Sequence, residues 1–185
     1  MDIEKAIQKR HSVRKFSDKK PDWREIIECI DATRYAPMAG SNFTLKFILV
    51  DEKDKIEKIA EASEQNFISQ TKFLVAVCSK PDRVINAFGE KGEVYFRQQA
   101  GAGIQNFLLS IVDKGLSTCW IGDFNEKKVK KILGIPEGVF VEALFPIGYE
   151  YEKNSKLKNR IPLDNVLYFN DYGNKYMKKE KKLEG

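Results

Sequence analysis

The pattern of apolar positions along the chain predicts helices that alternate with short buried strands. Apolar residues recurring every three or four positions predict helices over Asp2–Lys9, from Asp22 to Ala36, Asp54–Ser63, Tyr95–Lys114 and Glu126–Leu133. Continuous apolar runs predict strands over Leu45–Val50, Phe73–Cys78, Leu116–Ile121 and Val139–Ile147, with a further short strand over Asn165–Tyr168. Because the spacing of the strands is irregular, the pattern favours an α+β domain with a mixed central sheet over a doubly wound fold.

Length and charge narrow the class of protein. The 185 residues are 42% hydrophobic, which is enough for one domain over residues 1–185, with a basic tail from about residue 175 that is expected to fray. The net charge of +5 suits an anionic ligand. No apolar stretch has the length of a signal peptide or of a spanning helix, so a cytoplasmic protein without a membrane partner is expected.

Cysteine and histidine usage exclude several kinds of site. Cys29, Cys78 and Cys119 lie far apart and form no CxxC pair, which favours a reducing compartment over a disulfide framework. We expect Cys78 and Cys119 to be small buried hydrophobic residues. His11 is the only histidine, so neither a zinc site built from histidines nor a Ser/His/Asp triad is expected. No metal is expected. The chain also lacks GxGxxG and Walker motifs, so a Rossmann-type dinucleotide site is not expected.

Two basic clusters, remote in sequence, are candidates for binding a phosphate. In an extended segment, alternate residues point the same way, so Arg10, Ser12 and Arg14 are expected to converge on one side. A guanidinium fork matches phosphate oxygens, and a serine hydroxyl adds a neutral donor. Lys158 and Arg160 repeat the alternate spacing and could close over the same phosphate. The alternative for both clusters is a solvated basic loop.

Two further segments are candidates for contacting a flat polar ring. The turn Pro37–Asn42 combines small residues with a serine and an asparagine, although it could also be an ordinary loop. The segment Thr118–Phe124 ends a predicted strand at Gly122, where exposed backbone amides could donate to a ring nitrogen or a developing negative charge. Trp120 and Phe124 could either anchor the core or form the wall of a flat cofactor.

In their order along the chain, these segments resemble the nitroreductase family of FMN-dependent enzymes over almost the whole length. The resemblance rests on the segments RHSVRKF, YAPMAGSN, QNFISQTKFLVAVC, QQAGAGIQNFLLSIVDKGLSTCWIGDF, LGIPEGVFVEALFPIGY and NRIPLDNVLYFN. It implies an α+β nitroreductase fold, with helices flanking the central sheet. It also implies an intertwined homodimer with two non-covalent FMN sites at the interface, each built from both subunits.

The resemblance also implies which residues contact the cofactor. Family members hold the flavin phosphate on residues that match Arg10, Ser12, Arg14, Lys158 and Arg160, with His11 alongside. The remaining contacts match residues near the ribityl chain and the ring. They are Ser41 and Asn42 at the flavin, Gln65 at the ribityl chain or ring edge, and backbone around Ile121, Gly122 and Asp123 near flavin N5.

The implied activity is transfer of electrons from NADH or NADPH through FMN to nitroaromatics, quinones or similar flat acceptors by a ping-pong mechanism. Because the flavin takes and gives hydride at N5, no side chain is expected to be an essential catalyst. Many members read Asn-x-Gln-Pro-Trp after the small-residue loop, whereas this chain reads Ser41-Asn42-Phe43-Thr44-Leu45. That departure leaves open a specialised or poorly active member, such as a dehalogenating or flavin-processing one.

An alternative from another class is a module that binds nucleic acid or another polyanion. The basic residues are not interleaved with exposed aromatic residues in the sequence, which speaks against that alternative and against a nucleic-acid partner.

Overall fold

The computed structural model describes residues 1–152 and 161–177. Contacts within the chain divide it into two units, Met1–Glu152 and Lys153–Gly185. The predicted phosphate ligands Lys158 and Arg160 lie outside the described residues, as do the tail lysines Lys178, Lys179, Lys181 and Lys182.

The first unit interleaves helices and strands. Its helices are α1 Ile3–Lys9, α2 Trp23–Asp31, α3 Lys53–Ala62, α4 Asp82–Phe88, α5 Glu90–Asp113 and α6 Glu126–Leu133. Its strands are β1 Leu45–Val50, β2 Phe73–Ser79, β3 Ser117–Thr118 and β4 Phe140–Gly148. Short 3-10 turns cover Ala32–Tyr35, Ala39–Ser41 and Asn66–Gln70. Side chains of Asp2, Asp22 and Asn125 cap the starts of α1, α2 and α6.

The described strands form one sheet in the order β1-β2-β4-β3, and every neighbouring pair is antiparallel. Leu45 lies opposite Ser79, Phe73 lies opposite Ile147, and Thr118 pairs with Ile147 as well. The expected mixed sheet is therefore corrected to an antiparallel one among the described strands. Strand direction depends on how each helical connection crosses the sheet, and the local apolar pattern carries no information on that path.

The sheet is covered by helices on both faces, which explains its apolar strands. Phe73, Val75 and Val77 of β2 pack with α2 and α5, whereas Leu74 and Ala76 pack with α3 and α6. Every residue of β2 is consequently buried, as expected for a continuous apolar run that has two covered faces.

The three cysteines are free and buried. Burial raises the pKa of the Cys29 thiol to about 12 and that of Cys78 to about 11, so both remain protonated at neutral pH. The prediction that Cys78 and Cys119 are small buried hydrophobic residues is confirmed. None of the helices within residues 1–152 and 161–177 is long and apolar enough to cross a bilayer.

Several element boundaries differ from the sequence prediction. The prediction missed α4 and began α5 five residues late, because Gly89 separates two helices of charged and mixed residues without a clear apolar period. Helix α2 ends at Asp31 and continues as a 3-10 turn. The strand predicted over Asn165–Tyr168 is wrong, because this part of the second unit contains the 3-10 turn Leu163–Asn165 and no strand pairing.

Gly148 ends β4 directly beneath the ring of Phe16. A Cβ built at Gly148 lies 2.9 Å from Phe16 Cδ1, which is closer than real Cβ contacts. We expect Gly148→Ala to lower the free energy of unfolding by about 1–3 kcal/mol, because the buried ring must move. Urea titration followed by far-UV circular dichroism measures the change. The added substitution Phe16→Leu should remove most of the penalty in a double-mutant cycle, and purely additive effects would contradict the proposed overlap.

Candidate functional site

An extended segment, residues 10–17, lies along the sheet edge formed by β3. The Val13 N–H donates to the Thr118 carbonyl at 3.0 Å, and the Phe16 N–H donates to Gln70 Oε1 at 3.0 Å. Phe16 also forms an isolated antiparallel bridge with Glu150, just beyond β4. The first basic cluster is thereby fixed on the folded core by its own backbone.

The side chains of this segment divide into buried anchors and available donors. Val13 and Phe16 are buried, while Arg10 and Ser12 are half-buried and Arg14 is exposed. Within the described part of the chain, neither guanidinium forms an ion pair or hydrogen bond. Because Val13 points into the core, the alternation of an extended backbone turns Ser12 and Arg14 away from it. The chemistry of this donor set, two forks and a hydroxyl, is that of a phosphate site.

The imidazole ring of His11 makes two polar contacts that hold the start of the segment. Its Nδ1 lies 2.8 Å from the Lys9 carbonyl oxygen, and its Nε2 lies 3.0 Å from Glu150 Oε1. Both partners are acceptors, so the ring donates to both only as an imidazolium. The contact with Glu150 joins the start of the segment to the residues after β4.

The end of the β3 edge presents unpaired backbone donors. Ile121 exchanges hydrogen bonds of 3.1 and 3.0 Å with Leu144, so its own backbone groups are already satisfied. Gly122 and Asp123 are exposed, and among the described residues their N–H groups have no acceptor. Of the atoms that the structure describes, a Cβ at Gly122 would meet only the indole Nε1 of Trp120, at 3.8 Å. A ligand can therefore approach this backbone closely.

Trp120 and Phe124, the aromatic residues at this strand end, have different roles: one is available to a ligand and the other anchors the core. Trp120 is 42% exposed, and its ring contacts Phe145 edge-on with centroids 5.7 Å apart. Phe124 packs against the core cluster between the sheet and α3 and α6. Trp120 is therefore the side chain available to a flat ligand, and Phe124 is a core anchor.

The chain between α3 and β2 links the two parts of this edge. The Asn125 N–H donates to the Ala62 carbonyl at 2.8 Å, which ties the residues after Gly122 to the end of α3. At its other end, Gln70 accepts the hydrogen bond from Phe16. Gln65 lies between these anchors and is half-buried. The fold thus gathers the first cluster, the Gln65 segment and the strand end at one edge, which we call the β3-edge site.

Ser41 and Asn42 are not at the β3-edge site of the same chain. They precede β1, which is the opposite edge strand, about 14 Å away across three strand spacings. Gly40 and Ser41 both adopt left-handed conformations, with φ of 55° and 58°. Such strain in a non-glycine residue is frequent at functional sites, and here it shapes an exposed turn.

Sequence reasoning missed three glutamine and glutamate residues that hold these segments, namely Gln70, Gln99 and Glu150. Gln99 is buried in α5 and accepts hydrogen bonds from the N–H and the hydroxyl of Thr44. Its Nε2 donates to the Asn42 carbonyl at 3.2 Å. The available signal was a polar residue on the buried face of a helix whose other buried residues are apolar or glycine.

We expect Gln99→Met to lower the free energy of unfolding by about 2–4 kcal/mol, because it leaves the buried Thr44 donors without an acceptor. The control is Gln98→Met, because Gln98 is the exposed neighbour on the same helix. Chemical denaturation of both variants measures the difference, and equal losses would show that Gln99 does not anchor the turn.

A family model, curated relatives and a solved structure all match most of this chain. A family model described as Nitroreductase family matches residues 7–82 and 62–149. An iodotyrosine deiodinase of Thermotoga neapolitana is 22% identical over 80% of this chain and 89% of its own length. An FMN reductase (NAD(P)H) of Bacillus subtilis is 24% identical over 94% of this chain and 75% of its own. The crystal structure of a nitroreductase family protein from Clostridium novyi superposes with a TM-score of 0.75 at 27% identity, covering 98% of this chain and all of that one.

Proposed function

The chain belongs to the nitroreductase family, and on that premise we propose that it is an FMN-dependent oxidoreductase that takes electrons from NADH or NADPH. Family membership and the α+β nitroreductase fold confirm the corresponding predictions from sequence. The observation that carries the proposal is that two guanidinium groups and two backbone amides, all without a partner among the described residues, share one sheet edge.

The β3-edge site fits FMN by its donor chemistry. Arg10, Ser12 and Arg14 offer charged and neutral donors for the phosphate. Gly122 follows Thr118 by four residues, which is about 13 Å in extended chain, and it offers backbone donors for a ring edge. A phosphate group at one end and a flat polar ring at the other is the chemistry that this spacing accommodates.

Each part of the site has a distinct role in the proposal. The two arginines and Ser12 hold the phosphate, together with Lys158 and Arg160, which lie outside the described residues. When bound, FMN supplies hydride transfer at N5. Other contacts orient the ring and limit access of water to it. They come from the N–H groups of Gly122 and Asp123, the Gln65 side chain and the exposed indole of Trp120.

We further propose that the active unit is a homodimer, in which Ser41 and Asn42 contact the flavin bound mainly by the second copy. Their position on the edge opposite β3 supports this arrangement, because one chain alone cannot bring them to its own site. Exposed apolar side chains on the elements packed around α5 supply a surface for a second copy. They are Ile3, Ile7, Trp23, Ile27, Tyr35 and Val94.

The proposed turnover consists of two half-reactions at one open site. The pyridine nucleotide leaves before a nitroaromatic, quinone or other flat acceptor enters, because the exposed strand end offers one approach to both. Three free thiols among the described residues agree with a reducing compartment, which supports a cytoplasmic location.

The test begins with the purified full-length protein. We expect a yellow preparation that releases FMN on denaturation, and anaerobic stopped-flow bleaching of the flavin by NADH or NADPH. Reoxidation is then measured with a nitroaromatic, a quinone and iodotyrosine. Reoxidation by iodotyrosine with release of iodide would favour the dehalogenating alternative. A colourless protein that binds no added FMN would overturn the proposed function.

A further inference from the structure

Three lysines near the β3-edge site are held over aromatic rings. The Lys15 amine lies 4.1 Å from the centroid of the Tyr151 ring, and the Lys19 amine lies 4.3 Å from that of Tyr149. The Lys20 amine lies 5.1 Å from the centroid of Phe73. We call Lys15, Lys19 and Lys20 the ring-backed lysines.

Backbone pairing explains why these lysines meet the tyrosines. The Tyr151 N–H donates to the Lys15 carbonyl at 3.0 Å, and the Ser17 N–H donates to the Tyr149 carbonyl at 2.9 Å. This register places Lys15 opposite Tyr151, where a long side chain reaches across the pair. The rings attract the ammonium groups, so the charges stay close to the protein surface.

The ring-backed lysines form no ion pair within the described part of the chain, although they are exposed. Lys15 directly follows Arg14 in sequence, and Lys19 and Lys20 follow within six residues. The neighbouring carboxylates are Asp18, Glu150 and Glu152, and Glu150 is held by His11. The positive charges of the segment therefore outnumber the negative ones. They are Arg10, Arg14, Lys15, Lys19 and Lys20.

Their ring contacts separate these lysines from the ligand-contacting arginines. The three ammonium groups lie over the rings of Tyr151, Tyr149 and Phe73, whereas no ring contact is found for Arg10 or Arg14 among the described residues. A charge that does not touch the ligand but lies within about a Debye length, roughly 10 Å at 0.1 M salt, acts on its approach. Such charges change association rates, whereas groups in direct contact change dissociation rates.

We propose that the ring-backed lysines form an electrostatic capture surface that accelerates association of the FMN phosphate without contacting it in the bound state. The inference rests on the proposed function, because it concerns how the same site acquires its cofactor. It predicts a dependence on ionic strength that belongs to the phosphorylated flavin and is absent for riboflavin.

The experiment uses the full chain from which FMN has been removed, and follows quenching of flavin fluorescence in a stopped-flow instrument. The variant Lys15→Gln/Lys19→Gln/Lys20→Gln should lower the FMN association rate about 5- to 10-fold at 10 mM ionic strength and less than about 2-fold at 0.5 M. The dissociation rate of FMN and both rates for riboflavin should remain as in the wild type.

Two control variants test whether the association rate depends on where the charges lie, rather than on the total charge of the protein or on a folding defect. Lys46→Gln/Lys58→Gln/Lys131→Gln removes the same net charge from exposed lysines elsewhere that form no ion pair with a described residue, and it should leave the association rate near the wild-type value. Lys15→Arg/Lys19→Arg/Lys20→Arg keeps the charges and the ring contacts and should restore rapid association.

The outcomes are distinguishable. Normal FMN binding with equal association rates in the two glutamine triples would overturn the capture surface alone. A loss that persists at 0.5 M salt or with riboflavin would also overturn it, because it would report local disruption of the segment. Failure of the wild-type chain to bind FMN would overturn the proposed function and the inference together.

Discussion

Replacing Arg14 with alanine is expected to raise the dissociation constant for FMN by about 10- to 100-fold, the cost of losing one charge-assisted fork on a phosphate. The side chain is exposed and forms no ion pair within the described residues, so its removal should leave the stability of the fold unchanged. Fluorescence titration of the FMN-free protein measures the affinity. Titration with riboflavin should show no change, because riboflavin lacks the phosphate.

Two variants make the Arg14 result specific. Arg14→Lys keeps the charge and loses the planar fork, so an intermediate affinity is expected. Arg83→Ala removes an exposed arginine of α4 that is remote in sequence from the β3-edge site and should bind FMN as the wild type does. An Arg14→Ala protein with wild-type affinity for FMN would remove Arg14 from the phosphate site.

Gly101→Glu should weaken the proposed homodimer by at least about 10-fold, because it would place a charge beside Val94 on the α5 surface that we propose faces the second copy. A Cβ at Gly101 meets none of the described residues within 4 Å, and glutamate is a better helix former than glycine. The single chain should therefore tolerate the change. Val94, Gln98 and Gln105 share this outward stripe of α5 at helical spacing and are exposed.

Sedimentation velocity across a range of protein concentrations measures the effect of Gly101→Glu. FMN occupancy should fall with the dimer fraction, because the proposed site needs Ser41 and Asn42 from the second copy. Gly101→Ala is the control and should remain dimeric. A Gly101→Glu protein that is as dimeric as the wild type would place the interface elsewhere, and a folded monomer with full FMN occupancy would contradict the shared site.

The sequence alone predicts helices and strands correctly where residues close together in the chain decide them. The apolar run Phe73–Cys78 predicted β2 within one residue, because burial on both faces leaves no polar position. The period of Ile56, Ile59 and Ala60 predicted α3 in the same way. Helix α4 was missed, because its short sequence offers only Val84 as a buried residue and no regular apolar face.

The site was readable only in part, because its residues come from separate segments. Arg10, Ser12 and Arg14 could be selected from their spacing, since an extended backbone sets their direction. The free amide of Gly122 could be anticipated at a strand end. The backbone groups of Ile121 are already hydrogen-bonded to those of Leu144. This pairing joins two separate segments, so no local sequence pattern encodes it.

The sequence by itself determined which stretches form helices and strands, which residue types could hold a phosphate, and which family the chain resembles. Only the tertiary structure decided strand direction, the separation of Ser41 from Arg14 on opposite sheet edges, and the meeting of Lys15 with Tyr151. The physical reason is that propensity and periodicity act over a few residues. Contacts between residues more than a hundred positions apart depend on how the connections cross the sheet and on which strands become its edges.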